Sequence, residues 1–238
     1  MKMKHYFSIL IFIAFLLSVS PVSATHKVYV IHGYASPLAL VRKLNRHLKK
    51  EHYNTEIYQY KSVYSELDSI GKKLYDDLKN ANVDTVSFVT HSMGGLVVRS
   101  LFQYASKDAN FPHIYRVVMI APPNKGAEMA DIFDSFKMLK KLLGPNVKNM
   151  RTDSTSYANR LPQPNTTVGI VIGMRGKKKG YNPYIKNDND GFISVEKMRL
   201  ENESDVFFTK ADHVFVVRKK VVLKQTVAFL RNGQFTHQ

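Results

Sequence analysis

The chain has 238 residues, enough for one α/β domain with a sizeable core. It contains no cysteine, which excludes disulfide bonds, thiol catalysis, cysteine-bound metals and a cysteine-linked lipid anchor. Lys and Arg number 35 against 19 Asp and Glu, a formal charge of +16, which favours partners of negative charge.

Residues 1–24 have the order of a secretory signal peptide. Lys2 and Lys4 precede the apolar run YFSILIFIAFLLSV, and the small-residue triplet VSA ends at Ala24, where a signal peptidase would cleave. An uncleaved N-terminal anchor is the alternative interpretation. Cleavage leaves residues 25–238 as a single domain, exported to the periplasm or the medium.

Short apolar runs alternate with segments of helical periodicity along the rest of the chain. Several runs are apolar at consecutive positions, as strands buried on both faces are. The segments between them place apolar residues three and four apart, as one-sided helices do. This alternation predicts an α/β fold with a mostly parallel central sheet of about six strands and helices on both faces. The predicted strands are 27–31, 55–60, 85–89, 116–121, 167–173 and 205–208, and the predicted helices are 37–52, 65–80, 94–107 and 219–233.

The interval 122–164 interrupts this alternation. Within it, DIFDSFKMLKKLLGP predicts an amphipathic helix over 131–143, stopped by Gly144 and Pro145. The apolar stripe of this predicted helix packs either on the body of the fold or over a substrate site as a cap or lid. Its apolar residues are Ile132, Phe133, Phe136, Leu139, Leu142 and Leu143.

The stretch THSMGG places Ser92 between the strand 85–89 and the helix that begins at Gly94. A nucleophile elbow needs a serine on a tight strand-to-helix turn, with small neighbours two positions away on each side. Gly94 meets this demand downstream, whereas Thr90 departs from the G-x-S-x-G pattern upstream. A serine that caps the helix is the alternative interpretation.

A serine hydroxyl needs a base, which in this topology follows an acid, each in a loop after a later strand. His213 lies between the last strand and the last helix, where a base reaching back to Ser92 would lie. His237 is the other histidine in this region, but it belongs to the terminal tail.

Asp190 is the predicted acid. It lies in the loop after the strand 167–173, and Gly191 permits a sharp turn after it. Its role would be to fix the tautomer of the base and stabilise the imidazolium. Asp188 is the rival, and Asp212 lies too close to His213 to orient it easily.

The loop Ile31-His32-Gly33-Tyr34 predicts the remaining part of such a site. An oxyanion hole would combine the N–H of Met93, which follows the serine, with the N–H of Tyr34. Gly33 lets the backbone approach a substrate. A plain turn at a strand end explains the glycine but not its coincidence with the other parts.

Together these segments resemble the α/β-hydrolase superfamily, most closely its small bacterial esterases and lipases, with a likeness to the lipase-like GPI inositol-deacylase group. The resemblance is carried by VYVIHGY, VSFVTHSMGGLVVR, RVVMIAPPNKGAEMAD, NDGFISVEKMRLE and ADHVFVV with the final VAFLRNGQF. It implies that Ser92 is the nucleophile, Asp190 the acid, His213 the base, and Tyr34 and Met93 the oxyanion donors. Because the first core strand begins almost at the predicted mature terminus, we expect a compact version of the fold without the opening antiparallel strands of larger members.

The sequence therefore predicts an exported serine hydrolase that cleaves small-molecule or lipid carboxylic esters through an acyl-enzyme. One alternative is a phospholipase or lipid deacylase at an anionic membrane surface, because the segments RKLNRHLKK, KMLKK, RGKKKG and RKKVVLK are basic. These segments could equally be solvated surface. The other alternative is a non-catalytic binding protein on a hydrolase scaffold. No cofactor, metal or nucleic acid is expected, because no His/Asp/Glu cluster has ligand spacing and no nucleic-acid motif is present.

Overall fold

The computed structural model describes residues 25–136 and 142–237, which contain one six-stranded sheet. The strands are β1 (His26–Ile31), β2 (Thr55–Tyr58), β3 (Thr85–His91), β4 (His113–Ile120), β5 (Thr167–Met174) and β6 (Asp205–Lys210). Their order is β2-β1-β3-β4-β5-β6, and every neighbouring pair is parallel. The predicted α/β class and the six predicted strands are confirmed.

The position of each strand in the sheet explains the clarity of its sequence pattern. The interior strands β3 and β5 are buried at nearly every position, because helices cover both of their faces. The edge strands β2 and β6 are partly exposed. At the edge strand β2 the predicted run 55–60 is two residues too long, since the strand ends at Tyr58.

Helices cover both faces of the sheet. The right-handed crossovers from β1 to β2 and from β2 to β3 run in opposite directions, so their helices lie on opposite faces. These helices are α1 (Leu38–Lys50) and α2 (Leu67–Lys79). Helix α3 (Gly94–Ala105) packs along α2, and α8 (Lys220–Asn232) contacts α1. The four predicted helices are confirmed, with ends that differ by at most two residues.

Shorter helices occupy the intervals after β4 and β5. These helices are α4 (Glu128–Ser135), α5 (Asn146–Asn149), α6 (Tyr157–Arg160) and α7 (Val195–Met198), and a 3-10 helix (Val216–Arg218) precedes α8. Within the described residues, no helix has both the length and the apolarity needed to cross a bilayer.

The helix predicted over 131–143 has the wrong bounds. It begins earlier, as α4, and it ends at Ser135, because Phe136 is extended with φ −87° and ψ 92°. The Ser135 hydroxyl donates to the carbonyl of Ile132 at 2.6 Å, a local bond that competes with continued helix. Residues 137–141 of the predicted helix and the predicted signal peptide, 1–24, lie outside the described residues.

Candidate active site

Ser92 lies at the sharp turn between β3 and α3. Its φ is +52°, in the left-handed region that residues other than glycine seldom adopt. The Ser92 N–H donates to the carbonyl of Ile120 at 2.9 Å, and the Ser92 carbonyl accepts from the Gly95 N–H at 2.9 Å. A Cβ at Gly94 would lie 2.6 Å from the carbonyl oxygen of Ile31. Bonds to β4 and to the start of α3 therefore hold a strained turn, and only glycine lets α3 begin so close to β1.

Thr90 is the one departure from the serine pattern, and the fold accommodates it. The side chain is fully buried at the end of β3. A Cβ at Gly95 would lie 3.5 Å from the Thr90 hydroxyl oxygen, which is ordinary contact. The threonine thus fits beside the start of α3 without displacing it.

His213 connects Ser92 to Asp190. The distance from His213 Nδ1 to Asp190 Oδ2 is 2.6 Å, and the distance from His213 Nε2 to Ser92 Oγ is 2.9 Å. Because a carboxylate only accepts, Nδ1 carries the hydrogen, and Nε2 accepts the serine hydroxyl. His237, in contrast, bonds Asp205 at the start of β6. Ser92, His213 and Asp190 have the geometry of a nucleophile, a base and an orienting acid, respectively.

Asp190 is held by its own loop. Its Oδ1 accepts from the N–H groups of Phe192 at 2.9 Å and Ile193 at 2.8 Å. The turn that aims these donors requires the positive φ of Gly191, 104°. The Asp190 carbonyl in turn accepts from the backbone N–H of His213 at 2.8 Å. Both carboxylate oxygens are therefore hydrogen-bonded, as a buried carboxylate needs to be, since the residue is only 1% exposed.

The rival carboxylates are occupied elsewhere. Asp188 accepts from the backbone N–H groups of residues 175–177, at 3.0, 2.8 and 3.2 Å, and so closes the loop after β5. Asp212 accepts from the N–H groups of residues 214 and 215 at 3.1 Å each. Of the three candidates, the structure places Asp190 against the histidine.

The two predicted oxyanion donors are the backbone N–H groups of Met93 and Tyr34. In the described part of the chain, neither donates to a protein acceptor. Both groups are therefore free to donate to a bound ligand, and Met93 is fully buried, where an unpaired backbone donor is uncommon. The loop is close to the serine, because a Cβ at Gly33 would lie 2.9 Å from Ser92 Cβ.

An apolar cavity of about 230 Å³ opens at Ser92. Three parts of the chain form its walls: the loop after β1, the interval after β4, and the two loops that carry Asp190 and His213. The side chains that define these walls include Tyr34, Pro37, Leu40, Met129, Phe133, Val147, Met150, Phe192 and Val214.

The apolar stripe predicted over 131–143 is divided between the cavity and the surface. Phe133 lines the cavity, and Leu143 packs against the core. Phe136 and Leu142 are 54% and 72% exposed. Leu139 lies outside the described residues. The described part of the segment thus packs on the body of the fold and contributes Phe133 to the cavity wall.

The interval after β4 is fastened to the rest of the fold at both of its ends. The guanidinium of Arg99, 2% exposed, donates to the carbonyls of Asn124 at 2.7 Å, Leu161 at 2.5 Å and Pro162 at 3.1 Å. Burial lowers the pKa of Arg99 to about 10, so the side chain keeps its charge near neutral pH. The Tyr34 hydroxyl donates to the carbonyl of Leu143. The cavity wall is therefore tied to α3 and to the loop after β1.

No sequence pattern assigns a role to His91, although it precedes Ser92. Its Nε2 donates to the carbonyl of His213 at 2.9 Å. Burial, with a smaller effect of the nearby His213 imidazole, lowers the pKa of His91 to about 3, so its ring is neutral at ordinary pH. Phe192 also lacks a sequence signal, yet its ring stacks on His213 with 4.9 Å between centroids. Two unpredicted side chains thus fix the backbone and the ring of the histidine.

Across residues 25–136 and 142–237, no three His, Cys, Asp or Glu side chains are grouped to hold a metal ion.

A parallel six-stranded sheet with a serine elbow at its carboxyl edge defines the α/β-hydrolase fold. Residues 31–171 match the family described as a domain of unknown function, DUF7379, and the chain belongs to this family. No curated protein matches the sequence.

Several solved structures share the fold at low sequence identity. The mature lipase BlEst2 of Bacillus licheniformis matches with a TM-score of 0.63 and 16% identity, over 90% of this chain and 94% of the lipase. A carboxylesterase structure from Nitrososphaera gargenis gives 0.59 and 13%, over 88% and 91% of the two chains. The phospholipase PlaB of Legionella pneumophila gives 0.55 and 16%, over 74% of this chain and 45% of PlaB. These likenesses confirm the α/β-hydrolase fold.

Proposed function

We propose that this protein hydrolyses carboxylic esters, with Ser92 as the nucleophile. The proposal is carried by one observation, the hydrogen-bonded chain from Ser92 through His213 to Asp190, with distances of 2.9 and 2.6 Å, at an apolar cavity. The lipase and the carboxylesterase among the similar structures support this choice of reaction.

Acylation begins with the proton of the Ser92 hydroxyl. His213 Nε2 takes this proton while Ser92 Oγ attacks the ester carbonyl carbon. The carbonyl oxygen becomes an oxyanion, which the N–H groups of Met93 and Tyr34 stabilise. His213 then gives its proton to the leaving alkoxide, the ester bond breaks, and the acyl group remains on Ser92.

Deacylation repeats these steps with water. His213 Nε2 removes a proton from the water, which attacks the acyl carbon and again forms an oxyanion at the same two N–H groups. Collapse returns the proton to Ser92 Oγ and releases the carboxylic acid. Throughout, Asp190 holds Nδ1–H and stabilises the imidazolium without taking the proton.

The cavity sets the size of the acyl group. A volume of about 230 Å³ is small beside the pockets of about 300–1,000 Å³ that take drug-sized ligands. Since the walls are apolar and the space is small, an aliphatic acyl chain of short to medium length suits it.

Hydrolysis of a series of p-nitrophenyl esters, from acetate to palmitate, tests the proposal. We expect the highest kcat/KM for butyrate to octanoate, and a loss of order 10⁴ or more for Ser92→Ala. Ser106→Ala is the matched control, because Ser106 is an exposed serine at the end of α3. A folded wild type that turns over none of these esters contradicts the proposal; if it binds them without turnover, the protein is a non-catalytic binding protein.

A lipid ester is the second candidate substrate. Phe192 lines the cavity and is 38% exposed, and Phe215, 55% exposed, follows Val214 of the cavity wall. One protein of similar fold, PlaB, is a phospholipase. Release of fatty acid from phosphatidylglycerol vesicles, faster than turnover of soluble esters at equal concentration, would favour a phospholipase or lipid deacylase.

Export remains part of the proposal, and it rests on the order of residues 1–24 in the sequence. The backbone nitrogen of Thr25 lies 2.7 Å from Asp84 Oδ2. Cleavage after Ala24 would turn this nitrogen into an ammonium group that bonds the carboxylate with charge assistance. Mass spectrometry of the exported protein should give a chain that begins at Thr25. A mass that retains residues 1–24 would contradict cleavage.

A further inference from the structure

Two basic loops lie at the carboxyl edge of the sheet, where the cavity opens. One follows β5 and the other follows β6, and the carboxyl ends of parallel strands meet at one edge. Their exposed cations form what we call the basic rim: Lys177, Lys178, Lys179, Arg218, Lys219 and Lys220.

Contacts between the loops make the basic rim one continuous surface. Gly176 lies against Lys210, because a Cβ at Gly176 would be 3.2 Å from Lys210 Cε. The Lys219 ammonium group donates to the Lys210 carbonyl. Lys43 of α1 donates to the carbonyl of Arg218 at 2.9 Å and adds a further cation beside the rim.

Carboxylates do not neutralise the basic rim. Among the described residues, none of its six side chains lies within ion-pair distance of an acid. The nearest acids in sequence, Asp188 and Asp212, accept from backbone N–H groups. On α2 the lysines are paired instead, each with an aspartate: Lys72 with Asp76, Lys73 with Asp77, and Lys79 with Asp108.

Exposed aromatic rings connect the basic rim to the cavity. Phe215, 55% exposed, follows Val214 of the cavity wall and precedes the second basic loop. Tyr181, 43% exposed, packs beside Gly191, next to Phe192 of the cavity wall. Aromatic rings next to cations suit the interface of a bilayer, where rings lie at the headgroup level and cations meet anionic lipids.

We propose that the basic rim docks the protein on an anionic lipid bilayer, so that the cavity faces the acyl chains. The inference rests on the proposed function, because this orientation places the acyl chains of the lipids next to the apolar cavity. A soluble polyanion would bind the cations but would have no need of the exposed rings or of the neighbouring cavity.

Vesicle sedimentation tests the docking surface. The rim variant is Lys177→Gln, Lys178→Gln, Lys179→Gln, and the control is Lys72→Gln, Lys73→Gln, Lys79→Gln, which changes the net charge equally on α2. On vesicles of equal parts phosphatidylcholine and phosphatidylglycerol at low salt, the rim variant should bind about 100-fold more weakly than wild type. The control should stay within a few-fold, and binding of wild type should fall as salt rises.

Three results would overturn the docking proposal: no binding of wild type at low salt, an equal loss in both variants, or rim-dependent binding to dextran sulfate without binding to vesicles. Sedimentation reports binding to the vesicles and is read separately from ester hydrolysis. A wild type that binds vesicles and hydrolyses no ester would overturn only the proposed function, and an active wild type that binds no vesicle would overturn only the docking surface.

Discussion

Replacement of Asp190 by asparagine tests how the acid controls the histidine. In the wild type, Oδ1 accepts two backbone N–H groups, those of Phe192 and Ile193, and Oδ2 accepts His213 Nδ1–H. Asparagine offers one oxygen and one NH₂ group of nearly the same shape. Only the direction of hydrogen bonding changes.

The two orientations of the new amide differ in free energy. If the NH₂ group faced Phe192 and Ile193, two buried N–H donors would lose their acceptor, at about 1–3 kcal/mol each. The oxygen therefore stays on these donors, and the NH₂ group faces His213. Nδ1 must then accept, the hydrogen moves to Nε2, and His213 can no longer take the proton of Ser92. A change of this kind lowers kcat by about 10⁴ in a serine protease, equivalent to ~5 kcal/mol.

Steady-state hydrolysis of p-nitrophenyl butyrate measures this effect. We expect Asp190→Asn to lose kcat by about 10⁴ with little change in KM. Asp188→Asn is the matched control and should stay within a few-fold, because Asp188 bonds only backbone N–H groups of its own loop. Loss of activity in Asp188→Asn with near-normal activity in Asp190→Asn would refute the assignment of the acid.

Three further predictions concern the surroundings of the serine. In Gly33→Ala the new Cβ would lie 2.9 Å from Ser92 Cβ. A displacement of Ser92 that approaches 1 Å should lower kcat on the order of 10²-fold. An unchanged kcat in the folded variant would contradict this. Phe133→Ala removes a cavity wall, so the chain-length optimum of kcat/KM should shift to longer acyl groups, and a fixed optimum would mean that Phe133 does not limit the chain. Burial holds the pKa of His91 at about 3, below its unfolded value of 6.5, so the stability that neutral His91 provides is lost as pH falls from about 6.5 towards 3. Urea midpoints should show this fall in wild type and a shallower one in His91→Gln; equal slopes would assign the effect to other groups.

The fold was predictable where burial and periodicity agree. Strand β5 is buried along almost its whole length, and its sequence, TVGIVIG, is apolar at nearly every position. The helix over 131–143 was predicted with the wrong bounds because apolar spacing does not register a local bond such as that of the Ser135 hydroxyl. Periodicity reports which face is buried, not where a helix stops.

The candidate site was predictable in its side chains but not in its supports. The order of Ser92, Asp190 and His213 follows the order of the strands, so topology alone brings them to one edge of the sheet. His91 has no such signal, because its partner is a backbone carbonyl 122 residues away. Choosing between Asp188 and Asp190 likewise required knowing which backbone N–H groups each carboxylate accepts.

Labelling with a fluorophosphonate probe tests directly whether Ser92 is an activated nucleophile, because the probe reacts with activated serines. The protein from residue 25 onward is labelled as wild type and as Ser92→Ala, with Ser106→Ala as the control. We predict one labelled site per chain in wild type and in the control, and none in Ser92→Ala. A folded wild type that takes up no probe, or a Ser92→Ala variant that labels as strongly as wild type, would contradict the assignment of Ser92 as the nucleophile.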